Sequence, residues 1–180
     1  RFKRVVGLDP SEEYLKEARK TTKGVEYIQG YGETFEMNEK FDVISMNNIL
    51  EHVDDPIALL KNCAEYLAIG GRLIAQVPNA NSITRQLGVL MGIIPSLKHI
   101  SEKERDFYGH QRVYTWGTLL QDCQLAGLKV MFIGGILYKP LPNEDLWKLY
   151  KEKGDSFIKA LVEFGKDRPD ECACIFAICE

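Results

Sequence analysis

The sequence predicts an α/β fold built on a mostly parallel sheet with helices on both faces. Three observations lead there. Short apolar runs alternate with helical patterns from residue 4 to residue 78. Most of these runs close on turn or capping residues, as strand ends and helix starts do. The 180 residues carry 45% hydrophobic and 27% charged side chains, enough apolar material for one domain with a full core. The net charge of −3 argues against a broad nucleic-acid footprint. No leader segment is read at the start. No apolar run reaches the roughly 18 residues of a membrane span, because Gly88, Gly92 and Pro95 interrupt the longest one. Five cysteines without a C-x-x-C pair read as small buried residues in a reducing, cytoplasmic setting.

The elements follow in order. Arg4 to Asp9 is a short buried strand that ends in an acid. Ser11 caps a helix with Glu12 and Glu13 in its first turn, and Tyr14, Leu15 and Ala18 carry its spacing to about Thr22. Val25 to Gln29 is a strand, and Gly30 to Glu33 a tight loop. Phe41 to Asn47 is the clearest strand. Asp55 and Pro56 open a helix through Leu59, Leu60, Cys63 and Leu67, which Gly70-Gly71 is expected to end. Arg72 to Val77 is a strand closed by Pro78-Asn79. Residues 80–114 break the alternation and read as a lid or substrate-binding insertion, with an extra packing helix as the plain alternative. Thr115 caps a helix that Gly127 stops, and Leu128 to Ile133 is a strand. Helical pattern broken at Gly154 covers about Asn143 to Gly165, and Ala173 to Cys179 is the last strand.

Three segments carry chemistry. An acid at the tip of a parallel strand accepts ribose hydroxyls, which makes Asp9, followed by Pro10, a candidate. The loop Gly30-Tyr31-Gly32-Glu33 can border a purine, with Tyr31 stacking on it. After Phe41 to Met46, Asn47 and Asn48 stand at the carboxyl end of a strand, where such sheets bind ligands. His52 follows and is a candidate general base. A turn acid, a plain glycine turn and a structural histidine are the bland counterparts.

Together these segments resemble the class I S-adenosylmethionine-dependent methyltransferases, in the branch of ubiquinone-type and small-molecule or sugar enzymes. The resemblance spans roughly residues 3–135. It rests on Phe41-Asp42-Val43-Ile44 with Leu50-Glu51-His52-Val53-Asp54-Asp55-Pro56, on Leu67 to Leu73, and on Gly109-His110-Gln111-Arg112-Val113-Tyr114-Thr115. It implies a Rossmann-like seven-stranded sheet of order 3-2-1-4-5-7-6. The family's glycine loop and first strand lie before its ribose acid, so the chain reads as one domain over 1–180 that lacks strand 1 and is a fragment of a longer product. Without that central strand, two unpaired edges are expected.

The resemblance implies S-adenosylmethionine as cofactor. Asp9 and Pro10 would meet its ribose, Tyr31, Gly32 and Glu33 its adenine, and Asn47, Asn48 and Leu50 its methionine end. Tyr31 stands where the family commonly has Asp. His52 and His110 are the expected catalytic residues, with His99 weaker. Some ubiquinone-type relatives hold a divalent metal through a Glu three positions before Glu51, then Glu51 and His52. Asn48 occupies the first of those positions, so no metal is expected. The expected reaction is O-methylation of a sugar or related small molecule, and a homodimer is a candidate assembly. Lys98, Lys103, Arg105 and Arg112 could meet a phosphate, or be solvated charges. An inactive methyltransferase-like module and a nucleotide-binding oxidoreductase stay open.

Overall fold

In a computed structural model, which describes residues 2–180, the first half alternates as expected. Its elements are β1 (Val6–Asp9), α1 (Glu12–Thr21), β2 (Glu26–Gln29), β3 (Phe41–Asn47), α2 (Pro56–Glu65) and β4 (Leu67–Pro78). Then come α3 (Ile83–Leu90), a π-helical turn (Lys103–Phe107), α4 (Trp116–Leu125) and β5 (Val130–Ile136). The chain continues through α5 (Asn143–Lys153), α6 (Asp155–Gly165), a 3-10 turn (Pro169–Glu171) and β6 (Cys174–Cys179). The helix starts obey their capping residues. Ser11 Oγ accepts from Tyr14 N at 3.3 Å, Asp55 Oδ1 from Ala58 N at 2.9 Å, and Thr115 forms a reciprocal capping box with Thr118.

The strands form two sheets. β1 pairs with β2 in parallel, Val6 opposite Glu26 and Asp9 opposite Gln29. The larger sheet has the order β3-β4-β6-β5, with β3 and β4 parallel and β6 antiparallel to both neighbours. If β1 is the second strand of the expected series, the order is the expected one divided between β1 and β3. Residues of both strands, Val6 to Leu8 and Val43 to Ser45, line a single cavity of about 750 Å³.

The core sits on one face of the larger sheet. Leu73, Ala75 and Val77 of β4 and Ile175, Ala177 and Cys179 of β6 are fully buried, every second residue as a pleated strand requires. Leu59, Leu60 and Cys63 of α2 cover them, with Leu119 and Cys123 of α4. Cys63, Cys123 and Cys179 are therefore packing residues, and all five cysteines are free.

The strand expected at Leu128 to Ile133 is shifted to Val130–Ile136, and the boundary between α2 and β4 departs further from expectation. α2 stops at Glu65, and Leu67 already pairs with Phe41. The next residue in register is Arg72, opposite Val43, so residues 68–71 loop out of β4 as a bulge. Gly70 has φ 77°, and a Cβ on Gly71 would lie 3.0 Å from the Phe41 carbonyl oxygen. The glycine pair thus serves close strand approach and does not end the helix.

Asn79, at the end of β4, fastens the two halves of the chain. Its buried side-chain amide donates to the carbonyls of Asp170 and Cys172 at 2.7 and 2.8 Å, and its Oδ1 accepts from Asn81 N. Asn79→Ala takes the donor from the buried Cys172 carbonyl and the part-buried Asp170 carbonyl, and the acceptor from Asn81 N, and should lower unfolding free energy by about 3 kcal/mol. Thermal denaturation should show a fall of about 6–12 °C.

Candidate functional site

The cavity opens beside the carboxyl ends of β1 and β3, where Asp9, Pro10, Tyr31, Gly32, Glu33, Ile49 and His52 meet. Asp9 Oδ1 accepts from Ser11 N at 2.8 Å, which fixes the carboxylate at the mouth. Tyr31 is 66% exposed and stands free beside the opening. Gly32 packs so closely on α2 that a Cβ would lie 2.4 Å from Leu59 Cδ1. Six of the residues singled out in the sequence thus share one cavity.

Four others are placed differently. Leu50 is completely buried in the core, so its side chain packs beneath the loop and does not line the cavity. Asn47 Oδ1 accepts from Ser45 Oγ at 3.1 Å. Asn48 takes the left-handed backbone (φ 54°), and its Oδ1 accepts from Gln76 Nε2 at 3.3 Å on the neighbouring strand. Neither asparagine is among the lining residues. His110 is off the cavity wall but joins His52 edge to face, with ring centroids 4.8 Å apart.

The loop after β3 is held from above by the end of the insertion. Gln111 N donates to Glu51 O at 2.8 Å, and Gln111 Nε2 donates to His52 O and Asp54 Oδ1. The Arg112 guanidinium donates to the carbonyls of Leu50 (2.8 Å), Val53 and Asp54 (3.2 Å). This spends the cation that the sequence offered to a phosphate: its donors point at backbone oxygen. His110 N in turn donates to Glu104 O, and Glu104 is paired with Arg85 at 3.0 Å.

Under this strap lies Glu51, which sequence reasoning weighed only in the relatives' metal set. Its side chain is 1% exposed, and neither carboxylate oxygen has a hydrogen-bond partner among the described residues. Burial raises its pKa to about 7, against smaller opposing effects of its own backbone and of Arg112. His52 Nε2 stands 3.7 Å from Glu51 Oε1. The His110 imidazole is held below its usual value, by burial first and then by His52. Glu51, His52 and His110 each offer one donor atom within 4.8 Å of the other two. An acid beside a histidine in a polar run reads as solvated charge, and only the packing around Leu50 reveals that it is buried.

Comparison with known proteins gives the family and the fold. Residues 1–131 match the model of a family described as "Methyltransferase domain". A ubiquinone biosynthesis O-methyltransferase of Aliivibrio fischeri (strain MJ11) is 31% identical over 145 residues, covering 77% of this chain and 60% of that protein. One from Pseudomonas putida (strain F1) is 30% identical over 165 residues, covering 88% of this chain and 67% of the relative. A crystal structure of an S-adenosylmethionine-dependent methyltransferase from Mesorhizobium loti shares the fold with a TM-score of 0.64 at 17% identity, covering 98% of this chain and 79% of that one. The fold is that of the Rossmann-like methyltransferase class. This chain belongs to the methyltransferase-domain family. It spans about 57–60% of the length of the first curated relatives it matches.

Lysine cannot reproduce the planar fork of Arg112 on three carbonyls. Arg112→Lys should lower stability by about 2 kcal/mol. Hydrogen exchange should quicken at the amides of residues 50–54 and remain unchanged in β6.

Proposed function

We propose that this chain is the cofactor-binding and catalytic part of an S-adenosylmethionine-dependent methyltransferase that methylates a hydroxyl of a small molecule, a sugar or a related metabolite. The observation that carries the reading is the cavity itself. Its lining combines a strand-terminal acid, a glycine-bounded loop with an exposed tyrosine, and an imidazole. Asp9 would accept the ribose hydroxyls with the carboxylate oxygen that Ser11 leaves free. Tyr31 would cover the adenine, and Gly32 and Glu33 would border it. The names of the curated relatives favour oxygen as the atom methylated.

Methyl transfer is an in-line displacement. The acceptor oxygen bonds to the methyl carbon, the carbon–sulfur bond breaks, and its electron pair stays on sulfur. The protein aligns the reactants and excludes water. Its own chemical contribution is to take the hydroxyl proton, a role we assign to the His52 imidazole with His110 behind it. Residues 80–114 would form the substrate wall. Leu90, Met91 and Ile93 lie exposed there, and Arg85 ties the segment to Glu104 and to the carbonyls of Leu97 and His99. The free thiols suit a reducing compartment such as the cytoplasm.

Calorimetric titration with S-adenosylhomocysteine tests the cofactor. Binding is expected, and Asp9→Ala should weaken it about 10- to 100-fold, the loss of one charge-assisted contact. Binding of NAD instead would overturn the reading in favour of an oxidoreductase. In an active preparation, His52→Ala should lower kcat about 100-fold with little change in KM. Unchanged turnover would remove the proton-accepting role.

A further inference from the structure

We propose that β5 is the contact surface of a homodimer, in which the open edges of two copies pair antiparallel about a two-fold axis at Gly134. β5 ends the larger sheet, and β6 is its only strand neighbour among the described residues. Lys129 and Glu180 exchange both their main-chain bonds at 2.9 Å. Carried through the register of β5 against β6, the alternation turns the main-chain groups of Phe132, Gly134 and Ile136 towards β6. The N–H and C=O of Ile133 and Gly135 are left on the open edge, and no other segment among the described residues bonds to them.

Sheet edges in monomers are blunted by charge, proline or short length. β2, the edge of the smaller sheet, follows that rule: it has 4 residues, and its Glu26 is paired with Arg4. β5 does not. It has 7 residues, none charged and none proline. Its bulge is confined to one end, between Val130 and Phe132, so Phe132 to Ile136 run regularly. Met131, Phe132 and Ile136 are 48%, 55% and 40% exposed, although each is a large apolar side chain. An edge of this kind accepts a further strand.

The residue pattern of the strand selects a second copy as the occupant. In an antiparallel pair centred on Gly134, Ile133 of one copy lies opposite Gly135 of the other, and the free groups of the edge bond to one another. Phe132 lies opposite Ile136 on one face, an aromatic ring against a β-branched side chain. Gly134 meets its own counterpart at the axis, where the floor carries no side chain. A Cβ on Gly134 would stand 2.7 Å from Phe176 Cζ and 2.9 Å from Phe132 Cε1, so both rings already lean over it. Their centroids are 5.8 Å apart. The second copy brings the same two rings from the other side, and the Phe132 rings meet over the paired glycines. No charge is buried, and each contact is made twice, as a two-fold interface requires. A foreign strand would have to supply the same glycine and ring in the same register. The opposite edge of this sheet, β3, faces the cavity, so pairing through β5 closes at two copies.

The test is sedimentation velocity of the 180-residue chain over roughly 1–200 µM. A single shared edge buries less than the roughly 800 Å² per partner of a standard interface, so a reversible dimer with a Kd of about 1–100 µM is expected. Hydrogen exchange at residues 131–136 should slow over the same concentration range, and exchange in β2 should not change. Phe132→Glu sets two like charges over the axis and should weaken association at least about 10-fold, and Phe132→Lys should do the same. An equimolar mixture of these two variants should associate at least about 10-fold more tightly than either alone. Ile69→Glu, at the fully exposed bulge before Arg72, should leave association unchanged. Circular dichroism of each variant confirms that it folds. A chain that stays monomeric throughout the range overturns the proposal, as does a dimer that survives Phe132→Glu or is lost with Ile69→Glu. The proposal stands on β5 alone and does not rest on the methyltransferase reading.

Discussion

The guanidinium of Arg112 organises the site more than any other group. Three backbone carbonyls of the loop after β3 converge on it, at Leu50, Val53 and Asp54. A loop that follows a parallel strand has no ladder of its own to satisfy those oxygens. The arginine comes from a segment some sixty residues later, so one side chain sets both the shape of the loop and the landing place of the insertion. Gln111 repeats the arrangement beside it. Glu51 is driven under this strap and His52 is left at its edge. The chemistry available to the cleft follows from how a few carbonyls found donors.

Much of the architecture was legible because local signals agreed with one another. Ser11, Asp55 and Thr115 cap helices where a capping residue precedes an apolar helical repeat. Gly127 and Gly154 take positive φ where two helices stop. The period-two alternation of β6, and of β4 from Gly71 onward, is kept in their burial. The Asp9 mouth and the His52 wall were likewise readable, since a residue at the carboxyl tip of a parallel strand, or one just beyond it, must face the cleft.

The rest depended on contacts between distant segments. Leu50 was expected on the ligand wall from the resemblance, yet one position along a tight loop, from Ile49 to Leu50, turns a side chain from cavity to core. Asn47 and Asn48 stand at the correct end of β3 but find partners on Ser45 and Gln76. Gly70-Gly71 resembles a helix stop until the register of β4 against β3 shows a bulge. The burial of Glu51 has no local signature, because the strap over it is made by Gln111 and Arg112. Charge in a sequence marks a residue as polar without saying whether water will reach it.

The position of β6 has a consequence for the time order of assembly. β6 follows β5 along the chain but lies between β4 and β5, pairing Leu73 with Cys179 on one side and Ile136 with Cys174 on the other. Until residues 174–179 have been synthesised, β4 has no partner on that edge and β5 none at all within this sheet. The buried stripe of Leu73, Ala75 and Val77 then waits half-covered. Pairing across so long a sequence separation is slow, and open apolar edges are what chaperones and aggregates recognise. The larger sheet can close only after β6 has left the ribosome.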